Sequence, residues 1–141
     1  IIMNSAKVKW AGGLKFEGTS KFGLPIATDV NKKAGGSEDG YSPMELVLYG
    51  VAGCTGIDVI KILEKKRQKV TGLEIEVNGY QPDDYPKPYN KIEIKYIFEG
   101  ENLEAAKIEH AIELSEQKYC AVSQSLAGMA NIIHSFEIKE V

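Results

Sequence analysis

The sequence is short of several residue types that would point to a function. It has two cysteines, Cys54 and Cys120, and a single arginine, Arg67, among its 17 basic residues. Two cysteines with 65 residues between them match no zinc-binding spacing, and only two histidines could assist them, so no metal site is expected. The net charge of −3 argues against a nucleic-acid partner or an anionic membrane surface.

Long apolar runs are also scarce. No stretch approaches the roughly 18–20 consecutive apolar residues that cross a bilayer, because the uncharged run 46–57 is short and rich in glycine. The first residues, Ile1 to Met3, lead into polar Asn4 and Ser5 and do not resemble a signal peptide. We therefore expect a cytoplasmic protein whose two cysteines rest as thiols, and the 141 residues suit one domain, 1–141.

Alternating apolar and polar residues predict the strands. Val8 and Trp10, then Leu14 and Phe16, predict an antiparallel hairpin with one buried face. The remaining predicted elements are a strand at 25–28, strands at 73–80 and 91–99, a helix from an Asn102 cap to about Lys118, a short helix at 122–130 and a strand at 133–140. This order predicts an α+β fold with antiparallel sheet.

A long helix is predicted between the first and second groups of strands. Ser42 is a good N-cap, Pro43 suits the first helical position, and Glu45 completes an S-x-x-E capping box. The helix should run to about Gln68, with Gly72 just beyond it. Its first half carries few charges, which indicates a helix that is buried on most sides.

Three glycines surround one cysteine on this helix: Gly50, Gly53 and Gly56 flank Cys54. Each glycine costs about 1 kcal/mol against alanine in a helix interior. Close packing against another backbone or a substrate would offset that cost. A two-fold interface that pairs this helix with its own copy is one economical arrangement.

Cys54 has two interpretations from the residues alone. A free cysteine commonly packs as a small hydrophobe, whereas a reactive thiolate needs a cation or a helix N-terminus to lower its pKa. Cys54 lies about three turns inside the helix, and Asp58, one turn on, would disfavour the thiolate. Activation would need a cation from elsewhere in the fold, and the candidates are Lys7, Lys9, Lys15, Lys21, Lys32 and Lys33.

The pattern around the two cysteines resembles the OsmC/Ohr family of thiol peroxidases. It consists of S-P-M-E-L at the helix start, Cys54 eleven residues after Pro43, and Y-C-A-V-S around Cys120. The stretch AGCTGIDVIKILEKKRQ (52–68) is most similar to the uncharacterised OsmC-like branch, and the resemblance covers nearly the whole chain.

The resemblance implies both a fold and a reaction. The fold is OsmC-like: an intertwined homodimer whose antiparallel sheets wrap long central helices, with two sites at the interface. Cys54 would attack an apolar organic hydroperoxide and become a sulfenic acid, Cys120 would convert that group to a disulfide, and a dithiol reductant would reopen it. This chemistry requires no cofactor.

The sequence also departs from the family pattern. A glutamate directly follows the proline in the family, but here that position is Met44 and the carboxylate is Glu45, nine residues before Cys54. Nine helical steps place Glu45 on the face opposite Cys54, so we interpret it as a cap. The family has an arginine in its N-terminal region, whereas this sequence has none there. A lysine would not reproduce the planar guanidinium group, which can form two parallel hydrogen bonds.

Two functions remain open from the sequence. The first is a thiol peroxidase that uses Cys54 and Cys120, with Val47, Val51 and Ile57 as apolar walls for its substrate. The second is a small-molecule or lipid-binding or redox-sensing protein on the same scaffold, which the missing arginine favours.

Overall fold

The computed structural model describes residues 1–141, which divide into two compact units, Ile1–Val47 and Leu48–Val141. The units share helix α1, which runs from Pro43 to Lys65.

The N-terminal unit contains a small antiparallel sheet. Its strands are β1 (Val8–Trp10), β2 (Phe16–Thr19) and β3 (Pro25–Thr28), in the order β1-β2-β3. This confirms the predicted hairpin and third strand. The hairpin turn contains Gly12 and Gly13 with φ of 95° and 57°, values that glycine adopts more readily than other residues.

The predicted buried face of this hairpin is wrong for the single chain. The alternation is present, but Trp10 is 64% exposed and the other apolar side chains of the unit are exposed too. These exposed side chains, which we call the N-terminal apolar face, are Val8, Trp10, Leu14, Phe16, Phe22 and Leu24. Three short strands provide too little surface to cover them within this unit.

The loop after β3 is held by Asp29. Its buried carboxylate accepts hydrogen bonds from the backbone N–H groups of Val30, Ser37 and Asp39 at 2.8, 3.2 and 3.2 Å. The Val30 bond, followed by those of Asp39 and Ser37, lowers the pKa of this carboxyl against the effect of desolvation. The loop also contains a short 3-10 turn, Lys32–Ala34.

Helix α1 begins where the sequence predicts. The carboxylate of Glu45 accepts the backbone N–H of Ser42 at 3.1 Å, which is one half of the predicted capping box. The helix ends at Lys65, three residues earlier than predicted, and the chain turns at Arg67 with a φ of 57°.

Helix α1 is similar to a membrane span in length and composition, although it contains no run of 18 consecutive apolar residues. The 23 residues of α1 are long and apolar enough to cross a bilayer on those two criteria. The core helix of a protein that does not enter a membrane meets the same criteria, and four side chains of α1 are buried inside this fold: Val51, Thr55, Val59 and Leu63. The property is therefore weak evidence for a membrane helix.

The two sides of α1 differ sharply in exposure. The buried residues recur at intervals of four and belong to the core of the C-terminal unit. Another face carries Tyr49, Gly53, Ile57 and Ile60, which we call the α1 stripe; Tyr49, Ile57 and Ile60 are 60%, 61% and 40% exposed. The sequence predicted a helix that is buried on most sides. Within one chain, α1 is not buried in this way.

The C-terminal unit contains a three-stranded mixed sheet. Its strands are β4 (Lys69–Tyr80), β5 (Lys91–Glu101) and β6 (Asn131–Glu140), in the order β4-β5-β6. The β4 and β5 strands pair antiparallel, whereas β5 and β6 pair parallel, which corrects the prediction of purely antiparallel sheets. The long helical connection before β6 makes a parallel return possible. Gly72, predicted to follow the helix, lies instead at an irregularity within β4.

The connection between β5 and β6 contains α2 (Ala105–Leu114), a π-helical turn (Ser115–Tyr119) and α3 (Ala121–Leu126). Asn102 is not the cap of α2, because the chain turns there with a φ of 55° and the helix starts later. The N–H of Glu104 instead donates to the side-chain oxygen of Gln68 at 2.8 Å. The core lies between α1, α2 and the central strand β5, which contributes Ile92, Ile94, Tyr96 and Phe98.

Candidate functional site

The structure brings the two predicted cysteines together. Cys54 lies in the middle of α1, and Cys120 is the residue that precedes α3. Their sulfur atoms lie within 4.8 Å of each other. Cys120 is fully buried, whereas Cys54 is half-buried, so the two thiols differ in their access to solvent.

Backbone N–H groups at the start of α3 bind both sulfurs. The N–H of Ser123 donates to Cys120 Sγ at 3.4 Å, and the N–H of Val122 donates to Cys54 Sγ. The sequence predicted that Cys120 opens a short helix, and the structure confirms it.

The surroundings of Cys54 favour the protonated thiol. Burial raises the pKa of Cys54; the N–H of Val122 opposes that shift, and the neighbouring Cys120 and Asp58 raise the pKa further. The predicted adverse effect of Asp58 is therefore confirmed. None of these influences is a cation.

The lysines that the sequence offered for activation all belong to the N-terminal unit. Lys15 has a partner there, since its ammonium contacts Asp39 Oδ2 at 2.6 Å. Glu45 acts as a helix cap, as predicted, and Arg67 lies beyond the end of α1, more than about three turns from Cys54.

Asp58 is fixed beside the two thiols. A carboxylate oxygen of Asp58 and the sulfurs of Cys54 and Cys120 all lie within 4.8 Å of one another. The hydroxyl of Ser115, which is buried in the π-helical turn, donates to Asp58 Oδ2 at 3.2 Å. Asp58 also lines a cavity of about 250 Å³ with Lys61, Ile62, Lys65 and Tyr119.

A buried polar network involves Tyr96 of β5 and His134 of β6, and the charges of Cys120 and Asp58 in the thiol site act on Tyr96. The hydroxyl of Tyr96 is 3.2 Å from His134 Nδ1 and forms a second hydrogen bond with Thr55. Burial raises the pKa of Tyr96 to about 12, although the Thr55 bond opposes it. Burial lowers the pKa of His134, although its Nε2 lies 3.4 Å from Glu116 Oε2. Burial thus favours the neutral forms of both Tyr96 and His134.

No local pattern in the sequence predicted this network. Tyr96 and His134 stand at positions of strands β5 and β6 where their neighbours in the alternation, such as Ile94 and Phe136, are apolar and packed in the core. A polar side chain in an inward-facing position was the signal that could have indicated them.

The predicted apolar substrate walls do not form one surface. Val51 is fully buried in the core and cannot face a substrate. Ile57 lies on the exposed α1 stripe, and Val47 belongs to the N-terminal unit. Three residues at helical spacing around Cys54 therefore have three different environments.

The fold and the paired thiols define an α+β protein with a dithiol site. The family model described as OsmC-like protein matches residues 35–135, and the chain belongs to this family.

Two relatives share substantial sequence with the chain. Protein YhfA of Escherichia coli K12 is 38% identical over 133 residues, which cover 94% of this chain and 96% of YhfA. The crystal structure of a hypothetical protein from Aquifex aeolicus has a TM-score of 0.88 at 31% identity and covers 100% of this chain and 99% of that one.

A more distant structure carries a functional name. An organic hydroperoxide resistance protein OsmC from Legionella pneumophila has a TM-score of 0.71 and covers 97% of this chain and 99% of its own. Its sequence identity is 14%, so this likeness shows the fold alone.

Proposed function

We propose that this protein is a thiol-dependent peroxidase that reduces organic hydroperoxides. The observation that carries the proposal is the approach of Cys54 and Cys120 to within 4.8 Å, with the half-buried sulfur on Cys54 and the fully buried one on Cys120. The chain belongs to the OsmC-like family, and a protein named for organic hydroperoxide resistance shares its fold.

The reaction has three steps. The thiolate of Cys54 attacks the O–O bond of the hydroperoxide, which leaves a sulfenic acid on Cys54 and releases an alcohol after protonation. The thiol of Cys120 attacks the sulfenic sulfur, and a disulfide and water form. An external dithiol then reduces the disulfide and restores both thiols.

The proposed working form is a homodimer. The α1 stripe and the N-terminal apolar face each expose large apolar side chains, which a second copy would cover. Gly53 supports this arrangement, because no heavy atom lies within 4 Å of a methyl group built there. A dimer would also allow a lysine from the N-terminal unit of the partner chain to approach Cys54. We place the protein in the cytoplasm, where a dithiol reductant keeps cysteines reduced.

The raised pKa of Cys54 favours a second candidate function. A thiol with little thiolate at pH 7 reacts slowly, so the same pair would suit a redox sensor or a binding protein that is oxidised only under strong peroxide stress. A sensor forms the disulfide once, whereas a peroxidase consumes many equivalents of peroxide.

Turnover with a dithiol reductant tests the proposal. We expect the wild type to consume cumene hydroperoxide catalytically when dithiothreitol is present. Cys54→Ser should abolish consumption, whereas Cys120→Ser should form a sulfenic acid that a dimedone reagent traps. Consumption of a single equivalent by the wild type would favour the sensor, and unchanged turnover in Cys54→Ser would overturn both.

A further inference from the structure

Three possible metal ligands from distant parts of the sequence meet at one point. Cys54 Sγ, Cys120 Sγ and a carboxylate oxygen of Asp58 lie within 4.8 Å of one another. Cys54 and Asp58 are one turn apart on α1, and Cys120 comes from the connection between β5 and β6. Because 65 residues lie between Cys54 and Cys120, no local spacing could have indicated this cluster.

The atoms and their spacing suit a tetrahedral ion. Zinc binds thiolate sulfur at about 2.3 Å and carboxylate oxygen at about 2.0–2.2 Å, which places ligand atoms of one tetrahedron about 3.5–4 Å apart. An approach of about 1 Å would bring the three atoms from their outer limit of 4.8 Å to that spacing. Two soft sulfurs select Zn²⁺ or Cd²⁺ over Mg²⁺ or Ca²⁺, which prefer oxygen ligands.

The neighbouring groups already hold the ligands in place. Ser115 donates to Asp58 Oδ2 at 3.2 Å, and such a hydrogen bond orients a carboxylate ligand. The N–H groups of Val122 and Ser123 each donate to one of the sulfurs, and bonds of this kind stabilise thiolates. The half-buried position of Cys54 leaves an approach for the ion.

We propose that the reduced protein binds one Zn²⁺ per chain through Cys54, Asp58 and Cys120, with water in the fourth position. Binding displaces one proton from each thiol into solvent, so two protons leave and no electron moves. The ion occupies the sulfur lone pairs with which a peroxide would react. Metal binding and thiol oxidation therefore exclude each other.

Metal titration of the reduced protein tests this site without any peroxide. Under anaerobic conditions, Zn²⁺ is titrated in competition with a chromogenic chelator, and Cd²⁺ is titrated while the near-ultraviolet thiolate-to-metal absorption is recorded. We expect one ion per chain, a Cd²⁺ band with the intensity of two thiolates, and protection of Cys54 from iodoacetamide by bound Zn²⁺. These three readouts use the wild type and do not depend on the folding of a variant.

Matched variants locate the ion. Cys54→Ser and Cys120→Ser should lose the Cd²⁺ band, and Asp58→Asn should weaken Zn²⁺ binding by about tenfold or more. Glu109→Gln, which alters an exposed carboxylate of α2, should bind like the wild type.

Three results would each overturn the proposal. They are no binding by the reduced wild type, a Cd²⁺ band of one thiolate or none, and an Asp58→Asn affinity equal to that of the wild type. Peroxidase activity without metal binding would remove the metal site alone, whereas metal binding without peroxide turnover would remove the peroxidase alone.

Discussion

Replacing Gly53 by alanine tests whether this face of α1 is a free surface or a subunit interface. The two cases predict opposite changes in the stability of the protein. Gly53 is exposed in the middle of α1, and nothing lies within 4 Å of a methyl group built there. If that surface faces water, alanine should stabilise each chain by about 1 kcal/mol through helix propensity. If α1 packs closely against the partner's α1, the added methyl group should cost about 1–3 kcal/mol per chain by overpacking.

The proposed homodimer predicts the second result. We expect Gly53→Ala to lower the melting temperature by a few degrees, since about 1 kcal/mol corresponds to about 4 °C for a chain of this size. Sedimentation over a dilution series should show earlier dissociation of the variant. A melting temperature that rises by about 4 °C, with the wild type monomeric or the dimer unaffected, would refute the close packing of this glycine.

Three further predictions follow from the C-terminal unit. Asp58→Asn should speed iodoacetamide alkylation of Cys54 at pH 7, because the charge of Asp58 raises the pKa of that thiol. Burial holds the pKa of His134 below its value in the unfolded chain, so the unfolded chain binds a proton first as the pH falls. The folded protein should therefore lose stability below about pH 6.5, and His134→Asn should make this loss smaller. Tyr96→Phe should reduce the urea unfolding free energy by about 1–2 kcal/mol, because a buried hydroxyl that bonds His134 is lost.

Each of these has a control or a contrary outcome. Glu64→Gln, on an exposed position of α1, should leave the alkylation rate of Cys54 unchanged, and an equal acceleration by both variants would contradict a local effect of Asp58. His110→Asn, on an exposed position of α2, should keep the wild-type pH slope. An unfolding free energy of Tyr96→Phe equal to that of the wild type would mean that the hydroxyl does not stabilise the core.

Local patterns predicted the elements well because they report local physics. The alternation at 91–99 indicates a half-buried strand whatever its neighbours are. The side chain of Glu45 is long enough to accept the backbone N–H of Ser42, three residues earlier, and so it caps the helix. The effect of Asp58 on Cys54 followed from helical spacing in the same way. Such inferences need no knowledge of the tertiary fold.

Non-local features could not be derived from the residues. Strand β6 has the same alternation whether it pairs parallel or antiparallel, so its parallel pairing with β5 was not predictable from the pattern. The pairing of Cys54 with Cys120 came from the family resemblance, because 65 residues separate them and nothing in their spacing joins them. The contact of Tyr96 with His134 depends on that same strand pairing.

The exposed apolar residues show a third limit of prediction from a sequence pattern. Alternation indicated that Val8 and Trp10 would be buried, but a pattern does not say whether the burying surface belongs to the same chain. The same holds for Ile57 on α1. In the proposed homodimer, these expectations concern the assembly and not the single chain.

The most direct test of the dithiol chemistry is a single reaction of the fully reduced protein with one equivalent of cumene hydroperoxide, analysed by intact mass and non-reducing peptide mapping. We expect both thiols to disappear together and a Cys54–Cys120 disulfide to form within one chain, since the two sulfurs already lie within 4.8 Å. The survival of both thiols in excess hydroperoxide, or cross-links only between chains, would contradict that chemistry.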